Sequence, residues 1–210
     1  TSDRSVGAGL KQIAAEVEDE HGKPIEVVTV GDARPSAQTD ALLDATRQAL
    51  VNAVTHGGEP VSLYCEASDT MVEVFVRDHG EGFDMDAIPP DRLGIRESII
   101  GRIKRRGGTV EIVSRAGWGT EVRMHMPIAR VAMVADHEMF RAGVIATLRD
   151  SFDIVGQAAD VPGSVAMIAQ TKPQVVLLDV HVPGGEGGGG AEILAKSRPY
   201  SPTTVFLALS

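Results

Sequence analysis

From residue 130 onward, the apolar runs of this chain are apolar at every position rather than at every second one. Residues 130–135 (RVAMVA) and 174–178 (QVVLL) are of this kind. A strand with that pattern is buried on both faces, which places it in a parallel sheet covered by helices. Helix-like stretches at 138–149, 163–170 and 191–196 alternate with strands at 153–155 and 203–209. This βαβα order reads as a doubly wound parallel sheet. Before Pro127 the pattern differs. Helical spacing over 6–20 is followed by a strand at 25–30, then a long amphipathic helix opened by Ser36 and ending near His56-Gly57-Gly58. Strands at 61–65 and 71–77 read as a hairpin. A loop over 78–90, a helix over 96–105 and alternating strands at 109–114 and 120–126 complete this half. Two domains are therefore expected, 1–127 and 128–210, with almost no linker.

Composition narrows the function classes. The net charge is -9. Residues 1–127 hold 14 basic against 21 acidic residues, and 128–210 hold 6 against 8. Neither half is a basic module of the kind that binds nucleic acid directly. The basic run Arg102 to Arg106 reads as the solvated end of a helix. No run approaches the ~18–20 apolar residues of a membrane span, and the first residues lack the plan of a signal peptide. The absence of a starting Met suggests an excerpt of a longer chain. The single cysteine, Cys65, leaves no intrachain disulfide and no multi-cysteine metal site; it reads as a small buried hydrophobe.

Several residues of the first half form a constellation. Asn52 follows Gln48 by four, so both lie on one helix face. The sequence Asp78-His79-Gly80-Glu81-Gly82 ends a strand, Leu93-Gly94-Ile95-Arg96 precedes a helix, and Gly117-Trp118-Gly119-Thr120 marks a tight turn. A carboxylate at a strand end can accept the exocyclic amine of adenine, with Gly80 and Gly82 allowing backbone to approach the base. An Asn carbonyl can hold Mg²⁺. Gly94 at a helix start would aim N–H groups at phosphates.

In this order, on these elements, the residues resemble the ATP-binding domain of sensor histidine kinases, of the family shared with gyrase, heat-shock protein 90 and MutL. The stretch LGIRESIIGRIKRRGGTVEIVSRAGWGTEVRMHMP is most similar to the subfamily paired with helix-turn-helix regulators. The resemblance covers residues 8–127 and implies a two-layer α/β sandwich of the Bergerat type. It also implies ATP and Mg²⁺ as cofactors, Asn52 as the metal ligand, and Asp78 as the adenine reader. Gly80, Gly82, Gly94, Gly119 and Thr120 would shape the pocket. Gln48 stands where many relatives carry Glu, and Gln cannot take a proton in base-assisted hydrolysis. Positioning and charge stabilisation carry most of phosphoryl transfer to a histidine. The family phosphorylates a His on an upstream two-helix dimerisation element, usually followed by an acid. His21 and His56 precede Gly, and His79 lies in the adenine loop. The phosphoacceptor domain is therefore expected as a partner, in a longer chain or a separate one. His125 reads as an exposed strand residue.

In the second half Asp136 and Asp179 each end an apolar strand, at the carboxyl edge where ligands gather in open α/β sheets. Two neighbouring carboxylates repel unless a cation such as Mg²⁺ lies between them, and an Asp nucleophile would form an acyl phosphate. RVAMVADHEMFRAGVIATLRD and PQVVLLDVHVPGGEGGGGAEIL look like the receiver domain of response regulators, a flavodoxin-like fold, over residues 130–210. The resemblance implies Asp179 as phosphoacceptor, Asp136 and the backbone carbonyl of His181 as metal ligands with it, and Ser210 as the switch hydroxyl. Ala135 stands where the family usually has a further acid, and the receiver is expected to be incomplete at its C-terminus. Residues 187–190 read as a flexible loop and a poor helix start.

The reading is two-component signalling: ATP bound for histidine phosphorylation, then transfer to a receiver aspartate, with a cognate kinase or regulator as partner. Cytoplasmic placement follows from the family, with membrane anchorage upstream in a full-length kinase. The alternatives are a serine kinase like those acting on anti-sigma systems and a catalytically degenerate nucleotide-binding module.

Overall fold

The computed structural model describes residues 5–84 and 90–210, with backbone alone over 90–96. Residues 85–89 of the expected 78–90 loop lie outside the described residues. The chain divides into two compact units, Thr1–Ile128 and Ala129–Ser210.

In the first unit, helix α1 (Val6–His21) opens on the Ser5 side chain and closes on Gly22 in the left-handed conformation. Strand β1 (Ile25–Val30) leads to α2 (Ala37–His56). Ser36 and Thr39 form a reciprocal cap: Thr39 N–H donates to Ser36 Oγ at 3.2 Å and Ser36 N–H to Thr39 Oγ1 at 2.7 Å. Leu42, Ala45, Ala49, Leu50 and Ala53 recur at three- and four-residue steps, and all are buried. Then come β2 (Val61–Ala67), β3 (Met71–Asp78), α3 (Pro90–Lys104), β4 (Thr109–Arg115) and β5 (Gly119–Pro127).

The five strands lie in the order β1-β2-β3-β5-β4; β1 runs parallel to β2 and the other pairs are antiparallel. Leu63 and Cys65 of β2, Val72, Val74 and Val76 of β3, and Val122, Met124 and Met126 of β5 share one buried face with α1, α2 and α3. Their neighbours in sequence face outward, where Val28, Val30 and Tyr64 are exposed. The result is a two-layer α/β sandwich, with helices on one face only.

Helix α3 corrects one expectation. It starts at Pro90, not near Arg96; N–H groups of a first helical turn have no intrahelical acceptor, so proline, which lacks an N–H, suits that position. Gly94 therefore sits within the helix and not at its start.

The second unit holds β6 (Arg130–Val134), α4 (Glu138–Leu148), β7 (Asp153–Ala158), α5 (Val161–Thr171), β8 (Val175–Asp179), α6 (Gly189–Ser197) and β9 (Val205–Leu209). All pairs are parallel, in the order β7-β6-β8-β9. Right-handed crossovers put α4 on one face and α5 and α6 on the other. Ala132, Val134, Val176 and Leu178 pack with Val161, Ile168 and Ile193 on the α5–α6 side. On the other side α4 buries none of its residues, with Met139 90% exposed. Among the described residues no helix is long and apolar enough to cross a membrane.

Two outcomes follow for the core of the first unit. Leu50 is fully buried, so Leu50→Ala should lower the unfolding free energy by about 2–5 kcal/mol in a denaturant titration. Burial, with Asp32 and Glu66 nearby, pushes the Cys65 thiol up to about 11. The fold favours the protonated thiol, a contribution complete below the ordinary thiol range and lost as pH rises through about 11. Native protein at pH 8 should resist a thiol reagent until denaturant is added; labelling at the rate of a free thiol would contradict this burial.

Candidate functional site

The first unit contains a cavity of about 290 Å³ lined by Asn52, His56, Gly57, Gly58, Asp78, Gly80, Glu81, Gly82, Phe83 and Thr120. Helix α2 supplies Asn52 and His56, one turn apart at its C-terminal end. Strand β3 ends on Asp78, buried despite its carboxylate. Asp78 Oδ1 accepts the Gly80 N–H at 2.9 Å, turning the chain immediately after the strand. Gly119, at φ 102, begins β5 alongside; a Cβ there would overlap the Asp78 carbonyl oxygen.

Gly57 and Gly58 close the other side. A Cβ on Gly58 would lie 2.7 Å from Gly80 Cα, and one on Gly57 would overlap the Asp78 carboxyl carbon. His79 N–H donates to Gly58 O at 2.8 Å, fastening the helix end to the strand end. The sequence marks Gly57-Gly58 as a helix stop; their close approach to Asp78 depends on a non-local contact.

Ser114, a buried hydroxyl on β4, ties the loops together. Phe83 N–H donates to its Oγ at 2.9 Å, and the hydroxyl donates to Gly119 O at 3.1 Å. Its single proton is then committed, so the 2.9 Å contact with Thr120 Oγ1 has Thr120 as donor. A polar residue on the inward face of an alternating strand was the available signal for Ser114.

The Asn52 Oδ1 atom is buried and has no hydrogen-bond partner. A buried acceptor without a donor is uncommon, and the side-chain carbonyl of a residue that lines a cavity is a ligand type that suits a hard cation. Gln48 lies one turn earlier on α2, with its Oε1 accepting from Ser98 Oγ at 3.4 Å. Gln48, Asn52, His56 and Ser98 line a second cavity of about 430 Å³, which shares Asn52 and His56 with the first. The structure thus brings together Gln48, Asn52, Asp78, Gly80, Gly82 and Thr120, with Gly119 packed against Asp78. It does not bring Gly94 to a helix start.

In the second unit β6 and β8 are neighbours, so Asp136 and Asp179 both stand at the carboxyl edge of the sheet. Asp179 Oδ1 accepts the His181 N–H at 3.0 Å. A cavity of about 410 Å³ is lined by Asp136, His181, Pro183 and Gly187 to Gly189, among others. Leu209 pairs with Asp179, and Ser210 follows it at the same edge. Ala135 is fully buried, and its carbonyl accepts from Arg141 at 2.5 Å. His137 does precede an acid, Glu138, but it is the N-cap residue of the 11-residue helix α4 in this unit, not part of a long helical pair.

The loop around Gly82 offers a test of how tightly the first cavity is built. Gly82 has φ 66, and a Cβ there would overlap Arg115 O. Gly82→Ala should therefore destabilise the unit by about 1–3 kcal/mol and raise hydrogen exchange at the Phe83 and Gly117 amides. Unchanged exchange at both would mean that the loop is not held by these contacts.

Residues 37–130 match the family described as histidine kinase-, DNA gyrase B-, and HSP90-like ATPase. The sensor histidine kinase LiaS of Bacillus subtilis is 28% identical over 127 residues, covering 58% of this chain and 35% of its own. The probable transcriptional regulatory protein NarL of Mycobacterium tuberculosis is 38% identical over 81 residues, covering 37% of this chain and 36% of that protein. A solved histidine kinase domain of the Erythrobacter litoralis EL346 blue-light activated kinase aligns over 60% of this chain and 63% of its own, at 22% identity and a TM-score of 0.48. The chain spans about a third of the length of the curated relatives it matches. The matched span takes in Asn52, Asp78, Gly80, Gly82 and Thr120, which line the first cavity.

Proposed function

We propose that this chain is a two-component signalling segment. Its first unit binds ATP with Mg²⁺ for phosphorylation of a histidine, and Asp179 of its second unit accepts a phosphoryl group. The observation that carries the reading is the pairing, in one cavity, of the buried Asp78 carboxylate with the unpartnered Asn52 Oδ1. Asp78 would accept the exocyclic amine of adenine, and the glycine-lined walls beside it admit a flat base. Asn52 would hold Mg²⁺, which when bound neutralises the charge of the phosphates. Gln48 can orient a group by hydrogen bonding but cannot remove its proton. The acceptor histidine belongs to a separate dimerisation element, the partner this unit requires.

In the second unit Asp136, Asp179 and the His181 carbonyl would hold Mg²⁺ beside the acceptor carboxylate. Ala135 contributes no charge, so Mg²⁺ affinity there should be weaker than with two adjacent acids. Ser210 would meet the phosphoryl group at the same sheet edge. The 38% identity to a transcriptional regulatory protein supports this half of the reading.

Calorimetric titration with Mg-ADP tests the first unit. The native chain should bind. Asp78→Asn should weaken binding by about 1.5–3 kcal/mol, the range for a hydrogen bond to a charged group. Asn52→Ala should weaken binding in Mg²⁺ far more than in chelator. A folded chain with no binding would favour a degenerate module. Labelled phosphate passing from ATP to a serine protein, and not to a histidine-bearing helical domain, would favour the serine-kinase reading.

A further inference from the structure

One carboxylate gathers the backbone N–H groups of the glycine-rich segment after β8, and Lys196 also pairs with Glu186 of that segment at 3.7 Å. Glu192, on the first turns of α6, accepts the Glu186 N–H with both oxygens, at 3.1 and 2.9 Å, and the Gly188 N–H at 3.1 Å. Lys196, one turn later, donates to Glu192 Oε1 at 2.7 Å. The Glu192 side chain is 8% exposed, although the loop around it is open to solvent. The Lys196 ammonium, followed by the loop N–H groups, holds this carboxyl below the usual range. Gly185 completes the fit. Its φ is 71, and a Cβ there would lie 2.5 Å from Glu192 Oε1.

Converging backbone N–H groups in a glycine-rich turn form a concavity that attracts anions. Here that concavity is filled from within. The segment expected to be a flexible loop is tied at residues 186 and 188 to α6, and Gly190 N–H donates to Val180 O at 3.1 Å. Pro183 O accepts from Val161 N–H at 2.9 Å at its other end. The anchored loop forms one wall of the cavity that contains Asp136 and His181, beside Asp179.

We propose that Glu192 is a positioning residue for the Asp179 site: an internal anion that fixes residues 184–190 as the wall against which Asp179 is phosphorylated. The inference rests on the receiver reading of the second unit. Glu192 makes no contact with the reacting group; it acts through the loop. The reaction it serves is attack by an Asp179 carboxylate oxygen on phosphorus. A new O–P bond forms, the bond to the donor breaks, and with acetyl phosphate as donor acetate leaves.

The test uses the full chain with Mg²⁺ and acetyl phosphate. Two readouts are followed: amide exchange at residues 186 and 188, and the rate and lifetime of the acid-stable, base-labile phosphate on Asp179. Glu192→Ala should accelerate exchange at both amides by on the order of tenfold or more, as expected for lost charge-assisted bonds. It should slow phosphorylation several-fold at unchanged global stability. Glu192→Gln should restore part of both. Gly185→Ala, which displaces the carboxylate by steric overlap, should reproduce Glu192→Ala, and the double variant should be no worse than either. Faster exchange with unaltered phosphorylation and lifetime would overturn the positioning role and leave the receiver reading standing. Protected amides in a native chain that takes no phosphate on Asp179 would overturn the receiver reading, and the inference with it.

Discussion

A carboxylate withdrawn from water needs donors, or a ligand that supplies them, and Asp78 is the residue around which the first unit is arranged. It ends a central strand, is buried, and is offered a backbone N–H by Gly80. Burial at that depth is possible because the chain closes on it from two sides without side chains. Gly57 meets its carboxyl group and Gly119 meets its carbonyl. The loops that bring these glycines inward are fastened by the buried Ser114 hydroxyl and by the His79 to Gly58 hydrogen bond. The cavity is thus a by-product of steric permission, and the Asp78 carboxylate is held by the same contacts that exclude bulk.

The second unit uses a glycine-rich segment in the opposite sense. In the first unit glycine removes an obstacle between two pieces of backbone. After β8, left-handed residues turn backbone N–H groups toward one point, and the charge placed there is the chain's own Glu192. An unoccupied concavity of this sort would compete for any anion in solution. Filled internally, it is closed to an outside anion, and the loop lies against the carboxyl edge of the sheet where Asp136 and Asp179 stand.

Much of this was legible in the sequence because the signals were local. Ser36 ahead of an apolar helical stripe located α2, and consecutive apolar residues separated β6 and β8 from the alternating strands of the first unit. The placing of Asp136 and Asp179 at one sheet edge followed from the doubly wound order, in which their strands are neighbours. The start of α3 was not legible, since Pro90 reads as a breaker although it serves as a first helical residue. The role of Gly57, the inward hydroxyl of Ser114 and the clamp by Glu192 were also hidden. Each depends on a partner that only the folded chain brings close, and a run of glycines carries no mark of the carboxylate that will order it.

The outer strands of the two units differ in what they expose. Strand β9 is an edge strand, and on the face carrying α4 its Val205 and Leu207 are 53% and 50% exposed. The edge strands of the first unit carry charges that discourage added partners, Glu26 on β1 and Glu111 with Arg115 on β4. The sequence of β9, VFLAL, has neither charge nor proline. A lysine at Val205 or Leu207 would give the outermost described strand of the second unit the kind of charge that Glu26 and Glu111 give the outer strands of the first.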